Sequence, residues 1–135
     1  MLVAPTAHDD AQRRRLVSAL YCGPLADNMA GHVHGGAVAA IFDCLTASLG
    51  SVCVEPGSFG VTKSISVRFH RPCPLLQVLR CEVHGHFSEQ GTAAVEAILT
   101  DSSGDARYAS CAAELVDLRR RKAWKQSQTA QQSKL

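Results

Sequence analysis

The feature that most limits how this chain can fold is a change of hydrophobic period near Pro56-Gly57. Before it, from Gly36 to Val54, runs a mostly apolar stretch whose only charge is Asp43. Its length suits a membrane span, but an Asp at mid-helix costs about 2.5–3.5 kcal/mol even on insertion scales. Thr46, Ser48, Gly50 and Ser51 dilute the rest, so a buried soluble helix is the better reading. Ala37, Val38, Ala40, Ile41, Phe42, Cys44, Leu45 and Leu49 cover nearly its whole circumference, as expected where a sheet wraps around a helix. Gly50 is a natural stop.

After the turn the period becomes two. Phe59, Val61, Ile65, Val67 and Phe69 alternate with Thr62, Ser64, Ser66, Arg68 and His70, a half-buried strand ended by Pro72 and Pro74. The even-numbered set from Thr62 to Arg68 is expected to face outward. A second strand sets Leu79, Cys81, Val83 and Phe87 against Arg80, Glu82, His84 and His86. Turns at Ser88–Gly91 and Asp101–Gly104 lead to strands over Thr92–Thr100 and Ala106–Leu118. Short turns between consecutive strands predict an antiparallel meander. Leu16–Cys22 reads either as a further strand or as the end of a helix. One long apolar helix followed by a curled antiparallel sheet is an α+β architecture.

A length of 135 residues fits one domain, expected over 16–118 between a flexible extension, 1–15, and a disordered basic and polar tail, 119–135. The net charge of +2 hides an asymmetry: the body carries −5, and the tail carries six cations with no acid. An acidic body argues against nucleic acid as a partner, and a solvated, frayed end is the simpler reading of the tail than a binding arm. The six cysteines (Cys22, Cys44, Cys53, Cys73, Cys81, Cys111) include no CxxC pair, and most stand at apolar positions. The first fifteen residues hold acids and arginines rather than an apolar secretion signal, so a reduced cytoplasmic protein is expected. Arg-rich leaders also address mitochondria, a destination against which Asp9 and Asp10 argue.

The segment from Asn28 to Asp43 is where the sequence becomes specific. Gly35 and Gly36 open the helix, where unpaired backbone N–H groups and the helix dipole stabilise negative charge developing on an oxygen. Asp43 lies about two turns further on, a lone carboxylate in apolar surroundings. Its bland alternative is a carboxylate on a helix edge that reaches water. His32 and His34 are separated by one residue, and no acid or Cys completes a metal sphere near them. No Gly-x-Ser-x-Gly or Cys/His pattern marks a covalent Ser or Cys nucleophile.

His34-Gly35-Gly36-Ala37-Val38-Ala39-Ala40, with Asp43 nine residues after the His, resembles the hotdog-fold acyl-CoA thioesterases of the phenylacetate-pathway (PaaI-like) branch. The likeness continues through Val61–Pro72 and covers roughly 25–118. It implies a central helix wrapped by a curled sheet, and hydrolysis of an acyl-CoA to free acid and CoA without metal or organic cofactor. It further implies that Asn28 helps place the water or the thioester. Gly35 and Gly36 donate to the thioester carbonyl, and His34 shapes their turn. Asp43 acts as general base or nucleophile, and Thr62 orients the water. In the family these groups converge across a homodimer interface, often paired again into a tetramer.

CoA brings phosphates, for which Arg68, His70 and Arg71 at the end of one strand and the Arg119–Lys122 run after the last are the available cations. In a curled sheet the two strand ends can lie at one rim, a geometry the sequence does not fix. Two other readings stand beside hydrolysis. A hotdog hydratase or dehydratase would want an acid within Asn28–Gly36, where none lies. A non-catalytic acyl-CoA-binding module would keep the fold and release no CoA.

Overall fold

The computed structural model describes residues 13–53 and 60–133. The turn at Pro56-Gly57, Phe59 and most of the N-terminal extension lie outside them. Five strands, β1 (Arg13–Tyr21), β2 (Gly60–Phe69), β3 (Val78–Phe87), β4 (Thr92–Asp101) and β5 (Arg107–Asp117), form one antiparallel sheet. Helix α1 (Gly35–Cys53) packs on one face, and α2 (Leu118–Gln132) follows the last strand. This is the α+β fold expected, and of the two readings of Leu16–Cys22 the strand holds, since β1 runs to Tyr21.

The core is a set of side-chain rows crossing the sheet beneath α1. Register places Leu16, Val83, Ala97, Cys111 and Val67 in one row across all five strands. Helix residues Val38, Phe42, Leu45 and Leu49 are buried against this face. Each such side chain contributes about 1.5–3 kcal/mol by leaving water. Thr46 is equally buried, and its hydroxyl donates to the Phe42 carbonyl at 2.9 Å. Cys22, Cys44, Cys73, Cys81 and Cys111 are free thiols, all buried except the exposed Cys44.

Four expectations are corrected. The sheet is not a simple meander: its order is β1-β3-β4-β5-β2, so β2 pairs with β5 and not with β3. Tight turns make neighbours of β3, β4 and β5, but the Pro-containing connection after Phe69 crosses the end of the sheet. There the amides of His70 and Arg71 donate to the Tyr108 carbonyl and that of Leu76 to the Cys22 carbonyl. Second, α1 runs past Gly50 to Cys53 and is covered on one side only. Gly36, Ala40, Asp43 and Cys44 are exposed on the side turned away from the curled sheet.

Third, a register shift between Thr62 and Ser64 breaks the alternation of β2. Thr62 stands opposite the buried Leu115 and so points to the helix face, while Ser64 stands opposite Glu114 on the outer face. A bulge re-aims side chains in this way by inserting one residue into one strand. Fourth, the tail forms α2, although none of its described residues is buried. Asp117 accepts from the amides of Arg119 and Arg120 at 2.9 and 3.1 Å, capping a run of good helix formers. No helix among the described residues is long and apolar enough to cross a membrane.

Candidate active site

The loop before α1 is folded by its own polar groups. The Asn28 amide donates to the His32 carbonyl, and the Asn28 Oδ1 accepts from the amides of Ala30 and His32 at 2.9 and 3.3 Å. Asp27 Oδ1 accepts from the Gly31 amide at 2.9 Å. Closing so tight a loop needs left-handed backbone at Gly31 (φ 79°) and at Met29 (φ 69°). For the non-glycine residue that conformation costs about 1–2 kcal/mol. The loop is fixed to the rest of the chain through Val33 N–H to the Cys73 carbonyl and His34 N–H to the Ala26 carbonyl, at 2.9 and 2.7 Å.

His34 then closes the start of the helix. Its carbonyl accepts from Ala37 and Val38, and its ring Nδ1 accepts from the Gly36 amide at 2.9 Å. A nitrogen that accepts carries no proton, so the neutral ring holds its hydrogen on Nε2. Gly36 is therefore already committed, and the Gly35 N–H is the first-turn amide without an acceptor among the described residues. The Phe69 ring, at the end of β2, lies beside it. A Cβ built on Gly35 would sit 3.4 Å from the ring. Of the two glycines expected to polarise a carbonyl, only Gly35 has its donor free.

Asp43 lies on the exposed side of α1, and its Oδ1 accepts from Thr62 Oγ1 at 2.7 Å. The bulge in β2 is what brings Thr62 to the helix face to make this bond. Asp43 is thus a solvent-reaching carboxylate with a hydroxyl partner in the single chain, rather than a buried lone charge. Its separation from Gly35 along one helix is about 12 Å, eight residues at 1.5 Å each. The structure joins Asp43 to Thr62 and His34 to Gly36, ties Asn28 into its own loop, and keeps Asp43 about two turns of helix from Gly35.

The cations fall in two places. Arg68 is on the outer face of the sheet opposite Ser110, His70 Nε2 is 2.8 Å from Ser110 Oγ, and Arg71 is exposed beside them. The Arg119–Lys122 run begins α2 at the other end of β5. Phe69 pairs with Ala109 whereas Gly60 pairs with Asp117, so the two groups lie about 27 Å apart along the strand. The antiparallel pairing of β2 with β5 excludes a common rim within one chain. Burial pushes the Cys73 thiol up to about 11 and Cys81 up to about 12, so neither is a thiolate near neutral pH.

The family model of the thioesterase superfamily matches residues 30–101, more than half of the chain and all of the helix that carries Gly35 and Asp43. The chain belongs to the thioesterase superfamily. Solved structures agree on the fold of this superfamily member. A zebra fish thioesterase superfamily member 2 is similar with a TM-score of 0.70 at 15% identity, covering 85% of this chain and 80% of its own. A Ralstonia eutropha JMP134 protein described as a thioesterase related to phenylacetic acid degradation gives 0.69 at 22%, covering 84% and 83%. A Streptococcus mutans UA159 protein bound to acetyl CoA gives 0.66 at 14%, covering 86% and 88%. The hotdog fold is common to them.

Proposed function

We propose that the chain is an acyl-CoA thioesterase whose active site is completed by a second copy of itself. The observation that carries this reading is the Thr62–Asp43 pair at 2.7 Å, together with a free Gly35 N–H about 12 Å away on the same helix. An acyl carbonyl needs its oxyanion donor about 3 Å from the oxygen and its base within hydrogen-bond reach of the attacking water. One chain cannot bring both to one carbonyl. Two chains related by a two-fold axis bring the Gly35 end of each helix to the Asp43–Thr62 pair of the other, giving two sites per dimer.

The steps follow from the residues. Gly35 N–H, with the helix dipole behind it, donates to the thioester oxygen as it gains charge. Thr62 occupies Asp43 Oδ1, which leaves Oδ2 to take a proton from water. The water oxygen bonds to the carbonyl carbon, the C–S bond breaks, and CoA thiolate leaves to be protonated as free CoA. Direct attack by Asp43, giving an acyl-aspartate that water then opens, uses the same groups. In a single turnover in H₂¹⁸O, label recovered in Asp43 marks direct attack with water opening the anhydride at the Asp43 carbon, since general-base hydrolysis puts the label in the acid product alone. His34 positions the turn and Asn28 the loop above it. Arg68, His70 and Arg71 are the cations offered to the CoA phosphates. A homodimer, paired again into a tetramer, is the assembly proposed.

Thiol titration of CoA released from a panel of acyl-CoA esters tests the activity and finds the preferred acyl group. Asp43→Asn should lower kcat by about a hundredfold or more. Stability should change little, since Asp43 is exposed. A chain that binds acyl-CoA and releases no CoA would be a binding module.

A further inference from the structure

The face of the sheet turned away from α1 holds a cavity of about 370 Å³, in the range of small-ligand sites. It exists because β5 and β2 present short side chains there. Ser66 stands opposite Ala112, and Arg68 opposite Ser110. The walls are taller: Arg68 and Arg107 at one side, and Glu96 on β4 at the other.

The arginines of this face are of two kinds. Arg15 and Arg80 both reach Glu82, which His84 also contacts. Arg68 and Arg107 have no carboxylate partner among the described residues, although Glu96 lines the same cavity. Two permanently charged guanidiniums facing one concavity repel each other until an anion enters, and their planar forks match phosphate oxygens. Ser66 and Ser110 line the same cavity, Ser110 with its Oγ 2.8 Å from His70 Nε2. Glu96 repels anionic charge from the opposite wall and can accept from a hydroxyl or amino group. A ligand anionic at one end and neutral and polar at the other therefore fits better than a uniform polyanion.

We propose that this cavity binds a nucleotide through a phosphomonoester held by Arg68 and Arg107, with Glu96 facing the neutral end. Such a phosphate is carried by the nucleotide end of CoA and by free nucleotides; only the first source rests on the thioesterase reading.

The test is calorimetric titration of the full chain with adenosine 3′,5′-bisphosphate at low salt. Saturable binding is expected. Arg107→Ala should weaken it about tenfold or more, the scale of a lost hydrogen bond to a charged group. Glu96→Gln should tighten it, a gain that a misfolded variant cannot produce. Competition by acyl-CoA assigns the phosphate to the substrate, whereas Arg107-dependent binding without competition assigns it to a free nucleotide; either supports the cavity. A chain that binds the bisphosphate and releases no CoA keeps the cavity and loses the thioesterase reading. A chain that hydrolyses acyl-CoA yet binds no bisphosphate, or binds it unchanged in both variants, overturns the cavity proposal.

Discussion

Replacing Gly35 by proline removes one hydrogen-bond donor with little else. Gly35 is the first residue of α1, where proline is favoured because its missing N–H would have no helical partner. That N–H is the one amide of the first turn without an acceptor among the described residues, so no bond between them is lost. The new ring meets Phe69, whose nearest atoms would lie 3.4 and 3.6 Å from the Cβ, an ordinary to slightly tight contact. Gly35→Ala introduces the same Cβ and keeps the N–H, which makes it the control. Loss of one oxyanion donor costs about 10²–10³ in kcat, or about 2.7–4 kcal/mol of transition-state stabilisation. Steady-state CoA release by both variants, with melting temperatures measured alongside, should show the proline variant down by about that factor relative to alanine. KM should move far less, because the contact strengthens only as the oxygen gains charge. Equal kcat in the two variants would refute Gly35 as the donor.

Three further outcomes can be checked on the same chain. Thr62→Ala should lower kcat by about tenfold, less than Asp43→Asn, through loss of the hydroxyl that orients one carboxylate oxygen; an unchanged kcat would remove Thr62 from the site. Ser18 Oγ is buried with no partner among the described residues, so Ser18→Ala should leave stability unchanged or raise it by about 1 kcal/mol in urea unfolding, and a clear loss would contradict this. Burial works against ionisation of Glu82, but hydrogen bonds from His84 and Arg15 and the charges of Arg15 and Arg80 outweigh it and hold its carboxyl below the usual range. A depressed folded value means stability present at neutral pH and lost as pH falls from about 4.5 through that value. Glu82→Gln should therefore be less stable than the parent by about 1 kcal/mol at pH 7, with the gap closing in acid.

The sequence carries α1 and the strand alternation plainly because burial on one face imposes periods of 3.6 and 2. Periodicity says which residues share a face and nothing about which strands become neighbours. The pairing of β2 with β5 was therefore hidden behind the loop after Phe69, and with it the distance between Arg68 and Arg119. Alternation also misplaced Thr62: a bulge leaves no mark in a period-two pattern, and only the resemblance to thioesterases put this residue at the site. His34 taking the Gly36 amide is a matter of rotamer and ring tautomer, to which residue type gives no clue. Helix α2 lacks the apolar stripe by which helices are recognised, and its signals were the Asp117 cap and the run of helix formers. Arg107 and Ser110 carry no mark in the sequence, because they meet Arg68 only through strand pairing.

Subunit complementation bears most directly on the shared site. Gly35→Pro and Asp43→Asn each spoil a different half, and each alone should be close to inactive. If the halves come from different chains, mixing the two variants under conditions that permit subunit exchange creates mixed dimers with one intact site and one doubly broken site. With random reassortment half of the dimers are mixed, so CoA release should return to about a quarter of the parent rate per chain. Mixed dimers shown to form, for instance by native mass spectrometry of differently tagged chains, yet no more active than either parent variant, would contradict a site shared between two copies.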